Sequence, residues 1–373
     1  MFSYIRKWLN VWEYLSLPKN KKHVVFYSEG KNYWSYLEPI IIELSLKTKL
    51  SITYITSDEN DPGLLVDLNI KKLLIDYSYM REWFFQNINC HIMIMTMPDL
   101  DNFQIKKSNK TDHYIYTNHS LSSLSSAFRK HAVSNYDAIV CQSEYHYNEI
   151  LMQEKFYKQE PKNLIKAGYS KIDILVKEYA GYKLTNKEID EKIILLAPTW
   201  GENCIIETGK GIALIRNLLD QGYQVVLRPH PETYKHAQNK INEINDSYQN
   251  NEGFTIETNI TSHASLFSSS ALLTDWSGIA WEYSLALNKP VLFYDVKEKI
   301  NNEDYHDMPF TSFEKNMREE VGIIWNGYDS IDHIINNWKN KKHNPDDYVY
   351  NIRNSSVKIR EYIQKWFKEN SNE

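Results

Sequence analysis

Residues 193–231 read IILLAPTWGENCIIETGKGIALIRNLLDQGYQVVLRPHP. The run at 193–198 (IILLAP) is apolar along its length, as is most of 223–228 (YQVVLR). Between them, residues 211–219 carry apolar side chains at three-to-four spacing. Short continuous apolar runs read as strands, and the spaced pattern reads as a helix. Strands with no polar face are buried on both sides, which belongs to a parallel sheet covered by helices.

The alternation extends in both directions. Upstream, strands are expected at 23–28 (HVVFYS), 51–56 (SITYIT), 70–76, 91–96 (HIMIMT), 113–117 and 137–142 (DAIVCQ), with helices at 36–46 and 79–86. Downstream, strands are expected at 253–257, 271–274, 291–294 and 322–325, with helices at 234–248 and 279–287. Helices at 331–338 and 357–367 close the chain. A length of 373 residues exceeds the roughly 250–300 that one core usually supports. Residues 180–192 (AGYKLTNKEIDEK) are polar and lack periodicity, so the interdomain linker is placed there. The expected fold class is α/β, of the GT-B type. Residues 1–184 form one Rossmann-like domain and 185–373 a second, the two facing a central cleft closed by the C-terminal helices.

Composition narrows the function. The chain carries 43 basic and 48 acidic residues, a formal net charge of −5, which argues against a nucleic-acid partner. Cys90, Cys141 and Cys204 are widely spaced, and the first and second lie in apolar runs. Buried free thiols are expected, which suits a reducing cytosol. No apolar run reaches membrane-spanning length, and the N-terminus lacks the pattern of a signal peptide. The expected location is therefore cytoplasmic. Ile5, Trp8, Leu9, Trp12 and Leu15 recur at helical spacing beside Arg6 and Lys7. Two readings stay open for residues 2–16: a peripheral contact with the inner face of the membrane, or a helix packed on its own domain.

In open parallel sheets, ligands bind where strands exit into loops, and four exits carry unusual residues. Arg228-Pro229-His230-Pro231 presents a cation and an imidazole on a stiffened loop; with His230 protonated, the pair suits a phosphate or pyrophosphate. Thr274-Asp275-Trp276-Ser277-Gly278 precedes a helix whose N-terminus could receive phosphate, with Asp275 or Ser277 as its cap. Glu282 one turn later is placed to meet a ribose or base. Thr199, Gly201 and Glu202 follow the 193–198 strand and are candidates for the donor. Asn118-His119-Ser120 follows the 113–117 strand, where a histidine with a pKa near working pH can serve as general base. Ser28 and Glu29, with Gly30, give a weaker acceptor-side signal. No histidine pair shows metal-ligand spacing, and no dinucleotide or P-loop motif occurs. Neither a metal nor a cofactor is expected.

At these residues the chain resembles the CDP-glycerol glycerophosphotransferase family of teichoic-acid and capsule enzymes. The shared features, in order, are His119-Ser120 with its Ser-rich continuation, Gly168-Tyr169 with Asp173 (AGYSKID), APTWGE, RPHP, and TDWSG…EY followed by Pro290-Val291-Leu292. They run from about residue 113 to 296. The resemblance implies a GT-B transferase with a CDP-polyol donor. It moves glycerol phosphate or a related group to a hydroxyl of a polysaccharide or lipid-linked acceptor and releases CMP. His119 then falls on the family's base and His230 on its donor-phosphate histidine. Arg228, Asp275, Trp276, Ser277 and Gly278 fall on its donor motifs. The sequence departs from the pattern at Asn118 and Ser120, where these enzymes commonly have Trp and Gly, and at Gly278, where they often have Ser, which bears on acceptor and donor identity. A GT-B glycosyltransferase using a CMP-sugar or other nucleotide sugar is the alternative.

Overall fold

A computed structural model describes residues 2–103, 105–185, 192–259, 261–338 and 344–370. Two parallel sheets organise them. The first contains β1 (Val24–Ser28), β2 (Ile52–Thr56), β3 (Lys71–Leu74), β4 (Ile92–Met95), β5 (His113–Tyr116), β6 (Ala138–Cys141) and β7 (Asn163–Lys166), in the order β3-β2-β1-β4-β5-β6-β7. The second contains β8 (Ile193–Leu196), β9 (Gln224–Leu227), β10 (Phe254–Ile256), β11 (Ala271–Thr274), β12 (Val291–Tyr294) and β13 (Ile323–Trp325), in the order β10-β9-β8-β11-β12-β13. Every strand expected from the sequence is present. The one not anticipated, β7, is an edge strand in which Ile165 alone is buried, so it carries no apolar run.

Burial on both faces follows the pleat, because successive side chains point to opposite sides of a strand. Val24 and Phe26 join the core under the helix Trp34–Lys47, while Val25 and Tyr27 join the core under the helix Tyr79–Asn87. The second sheet divides likewise, with Ile194 and Leu196 on one face and Leu195 on the other. The helix Ser170–Thr185 links the halves. Tyr169, Ile172, Leu175 and Tyr179 enter the same core as Leu195, Leu272 and Trp281. This helix takes up the first part of the expected linker, because Tyr179 anchors it; residues 186–191 lie outside the described residues.

One expectation needs correction. The helix Ser355–Asn370, assigned by sequence to the second domain, crosses back to the first sheet. Its Ile359 and Ile363 are buried beside Ile40 and Ile92, and Arg360 Nε lies 2.8 Å from Glu43. Asp173 receives it by accepting the backbone N–H groups of Arg353 and Ser355. The N-terminal helix Phe2–Ser16 packs one edge of its apolar face on its own domain, one of the two readings left open, and leaves the other edge exposed. Val11 and Tyr14 are fully buried and Trp8 packs on Trp83 at 5.4 Å, whereas Ile5, Leu9 and Trp12 are exposed. Among the described residues, no helix is long and apolar enough to cross a membrane.

Gly168 makes the return of the chain possible. Its φ is +101°, and a Cβ there would lie 2.0 Å from the Tyr350 carbonyl oxygen. Gly168→Ala should therefore cost at least about 1–3 kcal/mol in urea unfolding. Gly181→Ala, on the same linking helix with nothing within 4 Å, should instead stabilise by about 0.5–1 kcal/mol.

Candidate functional site

The carboxyl ends of both sheets open on one cleft of about 1040 Å³. Of the residues singled out by sequence, His119, Ser120, Glu29, Thr199, Arg228, His230, Trp276, Ser277, Gly278 and Glu282 line it. The two histidines come from opposite halves, and His119 lies near enough for its charge to depress the pKa of His230.

The two rings are held in opposite senses. His119 Nδ1 lies 3.1 Å from the Thr96 carbonyl oxygen, which can only accept, so Nδ1 carries the proton and the Nε2 lone pair is left over. Tyr33, Tyr36 and Phe128 surround the ring at 5.4, 6.2 and 5.9 Å between centroids. Burial among them lowers its pKa and favours the neutral imidazole. His230 is the N-cap of the helix Pro231–His236, its Nδ1 accepting the Glu232 N–H at 3.1 Å. Its neutral form therefore offers Nε2–H as a donor. Burial first and then Lys299 push its pKa down to about 4. The protonated His230 expected from sequence is thus replaced by a neutral donor.

Permanent charge comes from elsewhere. Lys299 Nζ donates to the Trp200 carbonyl at 2.6 Å and sits 3.5 Å over the Trp200 ring, on the cleft wall beside His230. Ser277, Gly278 and Ile279 form the wall where the helix Ile279–Leu287 begins, and no side chain caps that terminus. The Ala280 and Trp281 N–H groups already turn back to Ser277 O and Gly278 O at 3.1 and 3.3 Å, so the helix dipole is what favours an anion at this wall. Arg228 lies at the cleft floor, with Nη1 directed to Glu257 at 3.3 Å, Ser262 O at 3.0 Å and Ser265 Oγ at 3.3 Å. It holds the loop after β10 and contributes positive potential to the floor.

Several expected ligand contacts prove to be builders. Asp275 is fully buried off the cleft and accepts the backbone N–H groups of Thr199, Ile205 and Trp276 at 2.7, 3.2 and 2.8 Å. It shapes the 198–205 loop and caps no helix; neither does Ser277. Glu282 reaches the cleft, but Tyr169 Oη donates to one oxygen at 2.8 Å and Lys171 Nζ lies 2.8 Å from the other. Gly278 approaches the opposite half rather than a ligand, since a Cβ there would lie 2.1 Å from Ser120 Oγ. Ser28, bonded to Gly30 O, and Asn118, packed on His146, are buried away from the cleft lining, and Gly201 and Glu202 also fall outside it. Glu29 lines the acceptor half, its carboxyl pushed up to about 7 by burial against the pull of Arg81 and Lys235. Lys171, Lys299, Lys235, Tyr33 and Tyr36 also line the cleft and were not singled out. Lys171 lies inside the AGYSKID stretch, whereas Lys299 sits in a plain charged run with no signal.

A histidine held neutral stabilises the fold above its unfolded pKa of about 6.5, and that contribution is lost as pH falls toward the folded value. For His230 the window runs from about 6.5 down to about 4. The urea midpoint of the wild type should fall across it. His230→Asn, which keeps an acceptor for the Glu232 N–H, should fall less steeply.

Comparisons with known proteins bear on the fold and the family. The wall teichoic acid polymerase TagF superposes with a TM-score of 0.63 at 18% identity, over 100% of both chains. UDP-GlcNAc 2-epimerase of Methanocaldococcus jannaschii, solved with UDP-GlcNAc and UDP, gives 0.58 at 12% identity, over 92% of this chain and 99% of that one. These likenesses establish the two-domain GT-B fold. The minor teichoic acid biosynthesis protein GgaB of Bacillus subtilis (strain 168) is 23% identical over 236 residues, 53% of this chain. This chain spans only 23% of GgaB's length. The family described as CDP-Glycerol:Poly(glycerophosphate) glycerophosphotransferase matches residues 12–353. The chain therefore belongs to the CDP-glycerol:poly(glycerophosphate) glycerophosphotransferase family.

Proposed function

We propose that the chain transfers glycerol phosphate, or a closely related polyol phosphate, from a CDP-activated donor to an acceptor hydroxyl of a teichoic-acid-like or capsule polymer, releasing CMP. The observation that carries this reading is the opposed polarity of the two imidazoles: an Nε2 lone pair at His119 and an Nε2–H at His230, on facing walls of one cleft. Family membership supplies the donor class, and the likeness to TagF and GgaB supports the polymer setting.

In this scheme the donor's diphosphate lies on the second half. His230 Nε2–H meets its oxygens at the start of the helix Ile279–Leu287, while the helix dipole and Lys299 balance their charge. The acceptor hydroxyl enters beside Tyr33 and Tyr36. As its oxygen attacks the β-phosphorus, its proton passes to His119 Nε2, and the bond from the β-phosphorus to the bridging oxygen breaks. CMP departs with the bonding electrons, held by the same donors. The Nδ1–H bond to Thr96 orients the His119 ring and strengthens its basicity in the step. In this scheme the Lys299 ammonium and the helix N-terminus supply the positive charge facing the diphosphate. Exposed Ile5, Leu9 and Trp12 beside exposed Tyr79 fit a shallow contact with the cytoplasmic membrane face, where a lipid-linked acceptor would be presented.

His119→Ala should lower kcat for CMP release from CDP-glycerol by about 10²–10⁴-fold with an unchanged circular dichroism spectrum. His230→Ala should weaken the donor's KM as well as kcat. Release of CMP from CMP-sugars but not from CDP-glycerol or CDP-ribitol would overturn the assignment. Prior treatment with EDTA should leave turnover unchanged, and a loss restored by Mg²⁺ would remove the metal-free scheme.

A further inference from the structure

The loop after His119, residues 120–127, belongs to the first half but is gripped from the second. Glu314, on the helix Phe313–Val321, accepts the Ser123 N–H through Oε1 at 2.9 Å. The Asn301 backbone N–H and Nδ2 donate to Ser126 O and Ala127 O, each at 2.8 Å. From the first half, Glu149 Oε1 accepts the Ser125 N–H at 2.7 Å together with the hydroxyls of Ser123 and Ser125. Ser123 therefore stands between two carboxylates from opposite halves. Glu149 is 0% and Glu314 7% exposed. Among the described residues, the second oxygen of each is buried without a hydrogen-bond partner. Two buried carboxylates meeting at one serine cannot both stay ionised cheaply, and a proton on one removes the conflict.

We propose that Glu314 is a positioning residue for His119, fastening the 120–127 loop to the second half through the Ser123 amide; this rests on the reading of His119 as the base. The loop begins one residue beyond His119, and Ser120 on the same loop touches Gly278 at the anion-binding helix. A shift of the loop would therefore move the base relative to the donor. Misplacement by about 1 Å can cost about 10²-fold in rate.

The fastening form is the neutral acid. Burial pushes the Glu314 carboxyl up to about 8, against the Ser123 amide and with repulsion from Glu149 and Glu298 added. Burial raises Glu149 too. The titratable groups facing Glu314 are Glu149 and Tyr145 from the helix Glu144–Phe156, and Glu298 and Tyr305 from the segment after β12. All are acids. Below pH 8 the fastened Glu314 is the neutral acid, whereas once the loop loosens into water the group regains an ordinary carboxyl pKa. Between about 4.5 and 8 each pH unit therefore favours the loosened form, and above 8 the two forms no longer differ in protonation.

Hydrogen exchange of residues 120–127 in the intact protein, corrected for intrinsic rates, reads this without substrate. In the wild type, protection should fall by up to about tenfold per pH unit between about 4.5 and 8 and level off above 8. In Glu314→Gln, which keeps an acceptor and cannot ionise, it should fall less steeply over that window. Any decline of kcat as pH rises toward 8 should weaken in the same variant. Glu314→Ala should lower kcat while leaving the donor KM in place. If Glu314→Gln does not fold, Glu149→Gln carries the comparison, since repulsion on Glu314 is then reduced and the decline in protection should end at a lower pH. Identical pH dependence in wild type and variant overturns the inference. The expected exchange with no CMP release would instead sink the functional reading alone.

Discussion

Between the halves, Lys171 Nζ lies 2.8 Å from Glu282, whose other oxygen accepts the Tyr169 hydroxyl. Lys171 and Tyr169 come from the first half's connection into the linking helix, and Glu282 from the first turn of the anion-facing helix. Both charged side chains are largely buried. Removing one partner of such a pair typically costs about 3–5 kcal/mol, because the other charge stays buried and unmatched. The pair therefore fixes one arrangement of the two sheets. In that arrangement the strand exits face each other, His119 meets His230, and the Ser-rich loop reaches Gly278 and Glu314.

The polar residues divide by what they touch. Asp275 is fully buried on three backbone amides, so the 198–205 loop has a single shape before any ligand arrives. Arg228 is bonded to Glu257 and the 262–265 segment. Asp173 fastens the start of the C-terminal helix. Among the groups that line the cleft are two neutral imidazoles of opposite polarity, the Lys299 ammonium and one uncapped helix terminus. Such groups cost little to leave unliganded at an open wall, and they would be worth more against an anion that displaces water from it.

Much of this was legible in order along the chain. Strands such as IMIM and AIVC announce their burial by having no polar face, and the turns after β5 and β9 announce function by holding His, Arg and Pro where an ordinary turn would hold Ser or Gly. The edge strand β7 escaped because one buried residue makes no pattern. The C-terminal helix was assigned to the wrong half because its apolar spacing specifies a face but not the partner for that face.

Sequence by itself determined two parallel sheets, the strand exits that carry chemistry, and the family to which they belong, since local periodicity and short motifs depend only on neighbours along the chain. Tertiary structure alone decided which polar atoms face the cleft. Asp275 meets Thr199 across 76 positions and Ser123 meets Glu314 across 191. Whether a carboxylate turns to a ligand or to a distant amide depends on which partner arrives to offset its desolvation, and spacing along the chain does not encode that.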